Sequence, residues 1–296
     1  MRPDSPGNTN SWIEDIALPG RRVISTRPLT GGYSNENVLV TTDDGGRYVL
    51  RRCKRPEVEA ALARRAGGVV PTAEVIAVDA NVLLMAFVPG RLLGDVIDEL
   101  SPLDAAALGR DVGRTLAALG SVTFDDPGFF TGGSLATGAE EPTDGLDVFV
   151  RRCLDEGNAA GYLTAEEQSE LLRLAARSAA ELAELRGSRQ LVHSDFNPKN
   201  LLVSVETGRV TAVLDWEFAF SGPPLADVGN MLRDPRPPAF ETAFLDGFRE
   251  AGGALPENWR SLSQALDLFS LADFLTRPVE HRYFQKAVRR IKARVP

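Results

Sequence analysis

The sequence predicts an α+β chain of two unequal lobes. Residues 1–88 form a small antiparallel sheet with one helix, and residues 89–296 form a larger, mainly helical lobe. Short alternating runs separated by hairpin signals crowd the first 88 residues. Apolar residues at helical spacing dominate beyond residue 102. Pro89-Gly90 breaks the chain between these two regimes.

The elements follow in order. Val23 to Thr41 reads as two strands around the turn Leu29-Thr30-Gly31-Gly32-Tyr33-Ser34. Asp43-Asp44-Gly45-Gly46 marks a hairpin, and Arg47 to Arg52 is its return strand. Glu57 to Ala66 is Ala-rich and helical, and it ends at Gly67-Gly68. Glu74 to Val78 and Val82 to Phe87 are two more short strands. In the second lobe Leu103 to Leu119 is a helix, with Ser101-Pro102 as its cap and first turn. Phe124 to Pro142 is Gly-rich and reads as a loop. Ala165 to Arg186 is a long helix that Thr164 and Glu167 introduce as a capping box. Leu191-Val192, Leu201 to Val205 and Val210 to Leu214 are strand-like. Helices around 240–251, 259–274 and 282–293 close the chain, and the basic residues Lys286, Arg289, Arg290, Lys292 and Arg294 of the last read as a solvated face.

Composition narrows the function classes. The 296 residues are 43% hydrophobic, enough for a substantial core, yet no run of 18 apolar residues suits a membrane span. The polar, Pro/Gly-bearing start lacks a secretory pattern, so a reducing cytoplasm is the expected compartment. Two cysteines and two histidines exclude a disulfide framework and a multi-histidine metal site. A net charge of −8 argues against nucleic acid as partner. The acidity is local, with 16 Asp/Glu against 4 Arg/Lys between Leu92 and Glu170, whereas residues 1–88 hold 10 acids against 11 bases. Such a field draws cations, although a set of solvated helix faces has the same composition.

The chemistry is concentrated in Leu191-Val192-His193-Ser194-Asp195-Phe196-Asn197-Pro198-Lys199-Asn200-Leu201-Leu202-Val203. His-x-Asp followed by Asn five residues after the Asp, framed by apolar strands, matches the kinase catalytic loop. There the Asp takes the proton of the acceptor hydroxyl, and the Asn ligates Mg2+. Ten residues on, the strand Val210 to Leu214 runs into Asp215-Trp216-Glu217, where a second Asp serves the metal that bridges the nucleotide phosphates.

These motifs, with Pro224-Leu225-Ala226-Asp227-Val228-Gly229-Asn230, resemble the aminoglycoside phosphotransferase family and its choline- and homoserine-kinase-like relatives. The resemblance covers residues 24–275 and is strongest between 190 and 232. It implies a bilobal protein-kinase-like fold, ATP as donor with GTP as an open alternative, and Mg2+. It implies Asp195 as catalytic base, His193 as the supporting residue of the catalytic loop, Asn200 and Asp215 as metal ligands, and Asp227 as a brace for the loop. Gly31, Gly32, Ser34 and Asn35 fall on the family's nucleotide-covering turn, where small residues let N–H groups approach phosphates. On Tyr48-Val49-Leu50-Arg51 the family strand carries a phosphate-binding Lys, and here that residue is Arg51. Arg52 points to the opposite face. Glu59 is the acid partner that fits best, with Glu57 the alternative. Met85, Ala86 and Phe87, with Val49, are expected around the adenine ring, whose edge the backbone would hydrogen-bond.

No room for a long activation segment lies between Asp215 and Pro223-Pro224, so the acceptor is expected to be a small molecule. The local acidity favours a cationic one, above all a basic antibiotic. Glu217, Asp144, Asp147, Asp155 and Glu156 are the candidate contacts. A metabolic kinase for an amino alcohol, amino acid or sugar is the alternative, and a non-catalytic nucleotide-binding module is a third class. The oligomeric state is left open.

Overall fold

The computed structural model describes residues 6–29 and 36–295, so the expected nucleotide turn at Gly31, Gly32, Ser34 and Asn35 lies outside the described residues. Helix α1 (Pro6–Trp12) passes into a π-helical turn, Ile13–Ala17. Strands β1 (Val23–Pro28), β2 (Glu36–Thr42) and β3 (Arg47–Arg52), helix α2 (Pro56–Ala66), then β4 (Val75–Asp79) and β5 (Val82–Ala86) follow. The five strands make one antiparallel sheet in the order β1-β2-β3-β5-β4.

Period-two alternation sorts the sheet's side chains onto two faces. On one face Val40, Tyr48, Leu50, Val82 and Leu84 pack under Trp12, Ile13 and Leu18. Arg52 lies on this face and donates to Thr9 Oγ1 at 2.9 Å. The opposite face carries Val49, Arg51, Leu83 and Met85 toward an interlobe cleft. Helix α1 was not expected. Its sequence, with two Asn, a Ser, a Thr and a Gly, has weak helix propensity, and the burial of Trp12 and Ile13 on the sheet supplies what propensity lacks.

The second lobe runs β6 (Arg91–Leu92), α3 (Leu93–Val96), α4 (Pro102–Leu119), β7 (Gly128–Phe129), α5 (Leu146–Glu156), α6 (Ala165–Leu182), β8 (Gln190–Val192), β9 (Leu201–Ser204), β10 (Arg209–Val213), β11 (Phe220–Gly222), α7 (Leu225–Met231), α8 (Pro238–Glu250), α9 (Trp259–Phe274) and α10 (Arg282–Lys292). The two sequence-read caps are present. Ser101 Oγ accepts from Asp104 N at 3.2 Å, and Thr164 and Glu167 exchange hydrogen bonds of 3.1 and 2.7 Å. Short β6, β7, β11, α3 and α7 carry too few residues to show a period, and they escaped the sequence reading. Helices α4 and α8 cross so closely that a Cβ on Gly109, Gly113 or Gly247 would overlap backbone of the other helix.

The basic face of α10 is less solvated than expected. Arg290 pairs with Asp234, Lys292 with Glu167 at 3.3 Å, and Arg294 with the buried Asp267 at 3.0 Å. These contacts fasten α10 to the lobe. Among the described residues no helix is long and apolar enough to cross a membrane.

Candidate active site

The segment from β8 to β11 forms two small sheets that hold the reactive loop between them. β8 pairs with β11, and β9 pairs with β10 through a turn in which Gly208 takes φ +64°. Ser194 and Asp215 both adopt left-handed backbone, φ +67°, which costs energy at a non-glycine residue and needs outside support. Asp227, fully buried on α7, provides it for the first. Its carboxylate accepts from His193 N at 2.7 Å and Ser194 N at 2.8 Å. Asn230, one turn later, donates to Ser194 O at 3.1 Å.

His193 ties the two reactive stretches together. Its Nε2 lies 2.9 Å from Leu214 O, and its Nδ1 lies 3.3 Å from Asp195 N. Both partners are satisfied by a neutral imidazole that carries its proton on Nε2. Burial holds the ring's pKa below its ordinary 6.5 and keeps it neutral. The ring packs against Trp216 at 4.7 Å between centroids, so His193 faces backbone and core and does not reach the cleft.

Burial pushes the Asp227 carboxyl up to about 7, against the pull of the N–H groups of His193, Ser194 and Phe196. A carboxyl with a raised folded pKa contributes stability at low pH that is lost as pH rises through that pKa. The stability advantage of wild type over Asp227→Asn is therefore expected to shrink as pH rises from 3.8 toward about 7 and to level off above it. The opposite slope from buried His193 is common to both proteins and cancels in the difference. Urea unfolding across this range checks the sign, and a gap that widens with pH would show Asp227 ionised throughout.

Asp195 stands at the mouth of the loop. Asn197 Nδ2 donates to its Oδ1 at 2.6 Å, Asn200 Nδ2 to its Oδ2 at 2.9 Å, and Lys199 Nζ lies 2.8 Å from Oδ2. A carboxylate has about four lone-pair sites. Three donors therefore orient the group and leave acceptor capacity on the Oδ1 side. Asn200 also donates to Asp195 O at 3.0 Å, so its amide nitrogen is committed to Asp195 and its Oδ1 is the atom available to a cation. Burial acts to lower the pKa of the Lys199 ammonium, but Asp195 and Tyr283 together raise it above its ordinary value.

From the other lobe, Arg51 reaches the same place. Its Nε donates to Glu59 Oε2 at 2.8 Å, and its Nη2 pairs with Asp215 Oδ1 and lies 4.0 Å from Glu217 Oε1. Arg51 is 5% exposed and Glu59 3% exposed, whereas Glu57 is exposed on the outer side of α2. The pairing thus falls to Glu59. Burial alone would lower the guanidinium pKa, but Asp215, Glu59 and Glu217 together raise it, so the charge is fixed. Burial first, and Glu59 second, push the neighbouring Cys53 thiol up to about 12, which keeps it a neutral donor to Glu59.

Val49, Arg51, Met85, Ala86 and Phe87 line a cleft of about 300 Å³, together with Lys199, Asn200 and Asp215 on the opposite wall. The expected adenine-edge donors need one correction. Ala86 N donates to Glu74 O at 2.8 Å and Phe87 N to Arg47 O at 3.0 Å, so the sheet consumes both. Val88 N–H has no partner among the described residues and lies on the cleft wall. Val88 was not singled out from the sequence, because which N–H groups the ladder takes depends on strand register. Lys199 was also missed, although it lies within the recognised motif.

Of the expected acidic substrate contacts, Asp144 is engaged by a basic residue of its own surface. Asp144 is held by Arg186 at 2.7 Å. Asp147 is half-buried in the first turn of α5, and Asp155 and Glu156 are exposed at its end. No hydrogen bond or ion pair among the described residues joins these four to the catalytic loop.

A carboxylate on an ordered loop, an Asn and a second Asp beside it, and an arginine arriving from a five-stranded sheet across a cleft define the phosphotransferring class of the kinase-like fold. The chain belongs to the phosphotransferase enzyme family, whose model matches residues 25–264. It is a small-molecule phosphotransferase by that membership. No curated protein matches it significantly in sequence. Among solved structures it is similar to a thermostable mutant of aminoglycoside phosphotransferase APH(4)-Ia in ternary complex with ADP and hygromycin B. That match has 20% identity and a TM-score of 0.67, and covers 92% of this chain and 93% of the other. It is similar to the apoenzyme of macrolide 2′-phosphotransferase MphH from Brachybacterium faecium, with 18% identity, a TM-score of 0.63, and coverage of 97% and 98%. A provisionally assigned fructosamine-3-kinase from Thermobifida fusca matches at 18% identity and a TM-score of 0.65, over 93% and 94% of the two chains. At these identities the likeness carries the fold.

Proposed function

We propose that the chain is an ATP-dependent O-phosphotransferase that moves the γ-phosphoryl group to a hydroxyl of a small, cationic molecule, with a basic antibiotic as the first class to test. Residues 1–88 serve as the nucleotide lobe and residues 89–296 as the catalytic and acceptor lobe. The observation that carries this reading is the convergence of Arg51, Asn200 and Asp215 on one cleft, with Asp195 joined to it through the Asn200 amide at 2.9 Å. Asp195 receives the acceptor's proton through its Oδ1 side. Arg51 holds the nucleotide's α/β-phosphates, and the segment from Met85 to Val88 holds the base, with Val88 N–H at its edge.

Two oxygen donors of protein origin, Asn200 Oδ1 and the Asp215 carboxylate, suit Mg2+, which takes one or two protein ligands and completes its shell with phosphates and water. When bound, Mg2+ neutralises charge on the β- and γ-phosphates. Asp215 pairs directly with Arg51, which supports a shared role of the two toward the nucleotide phosphates.

The local acidity supports a cationic acceptor. A second reading, a metabolic kinase for a sugar or amino alcohol, draws support from the Arg186 contact that occupies Asp144 and from the Lys199 cation beside the base. An ADP-release screen separates them, using ATP and GTP as donors against aminoglycosides, basic peptide antibiotics, macrolides, choline, homoserine and simple sugars at low and high salt. A cationic acceptor is expected to lose apparent affinity as salt rises, because exposed charge pairs are screened. A neutral best acceptor indifferent to salt would transfer the assignment to the second reading.

A further inference from the structure

Lys199 has no part in the roles above, yet its placement is specific. The ammonium lies 2.8 Å from Asp195 Oδ2, and its nitrogen stands 5.3 Å from the centroid of the Tyr283 ring on α10. The same side chain lines the nucleotide cleft beside Asn200 and Asp215. It therefore touches the acceptor's base on one side and the nucleotide cleft on the other. A phosphoryl group that moves from a nucleotide held by Arg51 and Asp215 to a hydroxyl held by Asp195 therefore has this cation beside the accepting base.

We propose that Lys199 is a catalytic residue that binds an equatorial oxygen of the phosphoryl group during transfer. The proposal rests on the phosphotransferase reading above. An ammonium has three N–H donors. Asp195 and the Tyr283 ring account for two and hold the group in place, and the third serves the phosphoryl oxygen. In the reaction the acceptor O–H bond breaks and its proton passes to Asp195. The acceptor oxygen forms the new O–P bond, and the bond from phosphorus to the bridging oxygen breaks with its electron pair leaving on ADP. Lys199 keeps all its protons. Its contribution is electrostatic, and it opposes the charge that spreads over the three equatorial oxygens as the flanking bonds lengthen. Arg51 approaches from the sheet side, and Lys199 supplies the cation on the acceptor side. Tyr283, stacked on Phe274 at 5.1 Å and 17°, gives the lysine a firm support on its outer flank.

The test needs no acceptor. Wild type, Lys199→Met and Lys199→Arg are titrated by calorimetry with ADP and Mg2+, and again with ADP, Mg2+ and aluminium fluoride, which mimics the planar phosphoryl group. Lys199→Met keeps the aliphatic stem, and thermal unfolding is recorded beside each titration. Affinity for ADP is expected to stay within about twofold of wild type, because the contact is made in the transition state. Affinity for ADP with aluminium fluoride is expected to fall about 10²-fold, as for loss of one preorganised donor, and Lys199→Arg is expected to recover part of it. Equal tightening by aluminium fluoride in wild type and Lys199→Met would overturn the proposal and leave the phosphotransferase reading intact. Parallel loss of ADP and of the aluminium fluoride complex would make Lys199 a ground-state binding group and also overturn it. A wild type that binds no purine nucleotide would overturn the phosphotransferase reading, and this proposal with it.

Discussion

Asp195→Asn is expected to reduce turnover about 10²- to 10⁴-fold while leaving ADP affinity and thermal stability close to wild type. The substitution keeps the shape of the side chain and an acceptor oxygen for Asn200 and Lys199, at the loss of the hydrogen bond from Asn197, and it removes the basic carboxylate. The lost interaction is one made mainly in the transition state, so kcat and kcat/KM should fall together. Steady-state ADP release with the best acceptor from the screen measures it, alongside calorimetry with ADP. Turnover within a few-fold of wild type would remove Asp195 from the base role and return the catalytic assignment to the other groups of the cleft.

Arg51→Ala is expected to act on both nucleotide affinity and stability. Arg51 is the sole ion-pair partner of Glu59 among the described residues, and Glu59 is 3% exposed. Breaking a buried pair by removing one member costs about 3–5 kcal/mol, because the other charge stays buried without compensation. Burial already acts to raise the Glu59 pKa against the pull of Arg51, so loss of the arginine should drive the carboxyl toward its protonated form and recover part of the cost. ATP affinity should fall about tenfold or more, because charge-assisted contacts to the phosphates are worth about 1.5–3 kcal/mol each. Arg51→Lys should restore phosphate affinity only in part, since a single ammonium cannot span Glu59 and Asp215 as the guanidinium fork does. Urea unfolding and ATP titration of the two variants check this. An unchanged ATP affinity in Arg51→Ala would place the phosphates elsewhere.

Much of this site could be read locally. His193, Asp195, Asn200 and Asp215 fall within one strand-loop-hairpin unit of 23 residues, whose geometry is set by short-range pairing of β9 with β10. Alternation along β3 separated Arg51 from Arg52 without knowledge of their partners. The choice of Glu59 over Glu57 follows from α2, where Glu59 shares the inward stripe with Leu62, Ala63 and Ala66. The same local reasoning stopped at α1, where a polar heptapeptide is helical because Trp12 and Ile13 cover the sheet. It stopped again at α7, whose seven residues are too few to show a period although every one of them is buried.

The sequence by itself indicated the fold class, the order of most helices and strands apart from α1, α5 and α7, and the candidates proposed here as base, metal ligands and phosphate-binding arginine. Each of those rests on neighbours in the chain, through alternation, helical spacing, caps and a contiguous motif. Only the tertiary structure decided that Asp144 is occupied by Arg186 and that the Asp227 brace, already implied by the family resemblance, acts through the N–H groups of His193 and Ser194. The same holds for α10, which is bound through Arg294 to buried Asp267, and for Lys199, which stands between Asp195 and Tyr283. The physical reason is the same in each case. A buried or shared charge is positioned by groups remote in sequence, and its partner is chosen by packing that no local pattern records.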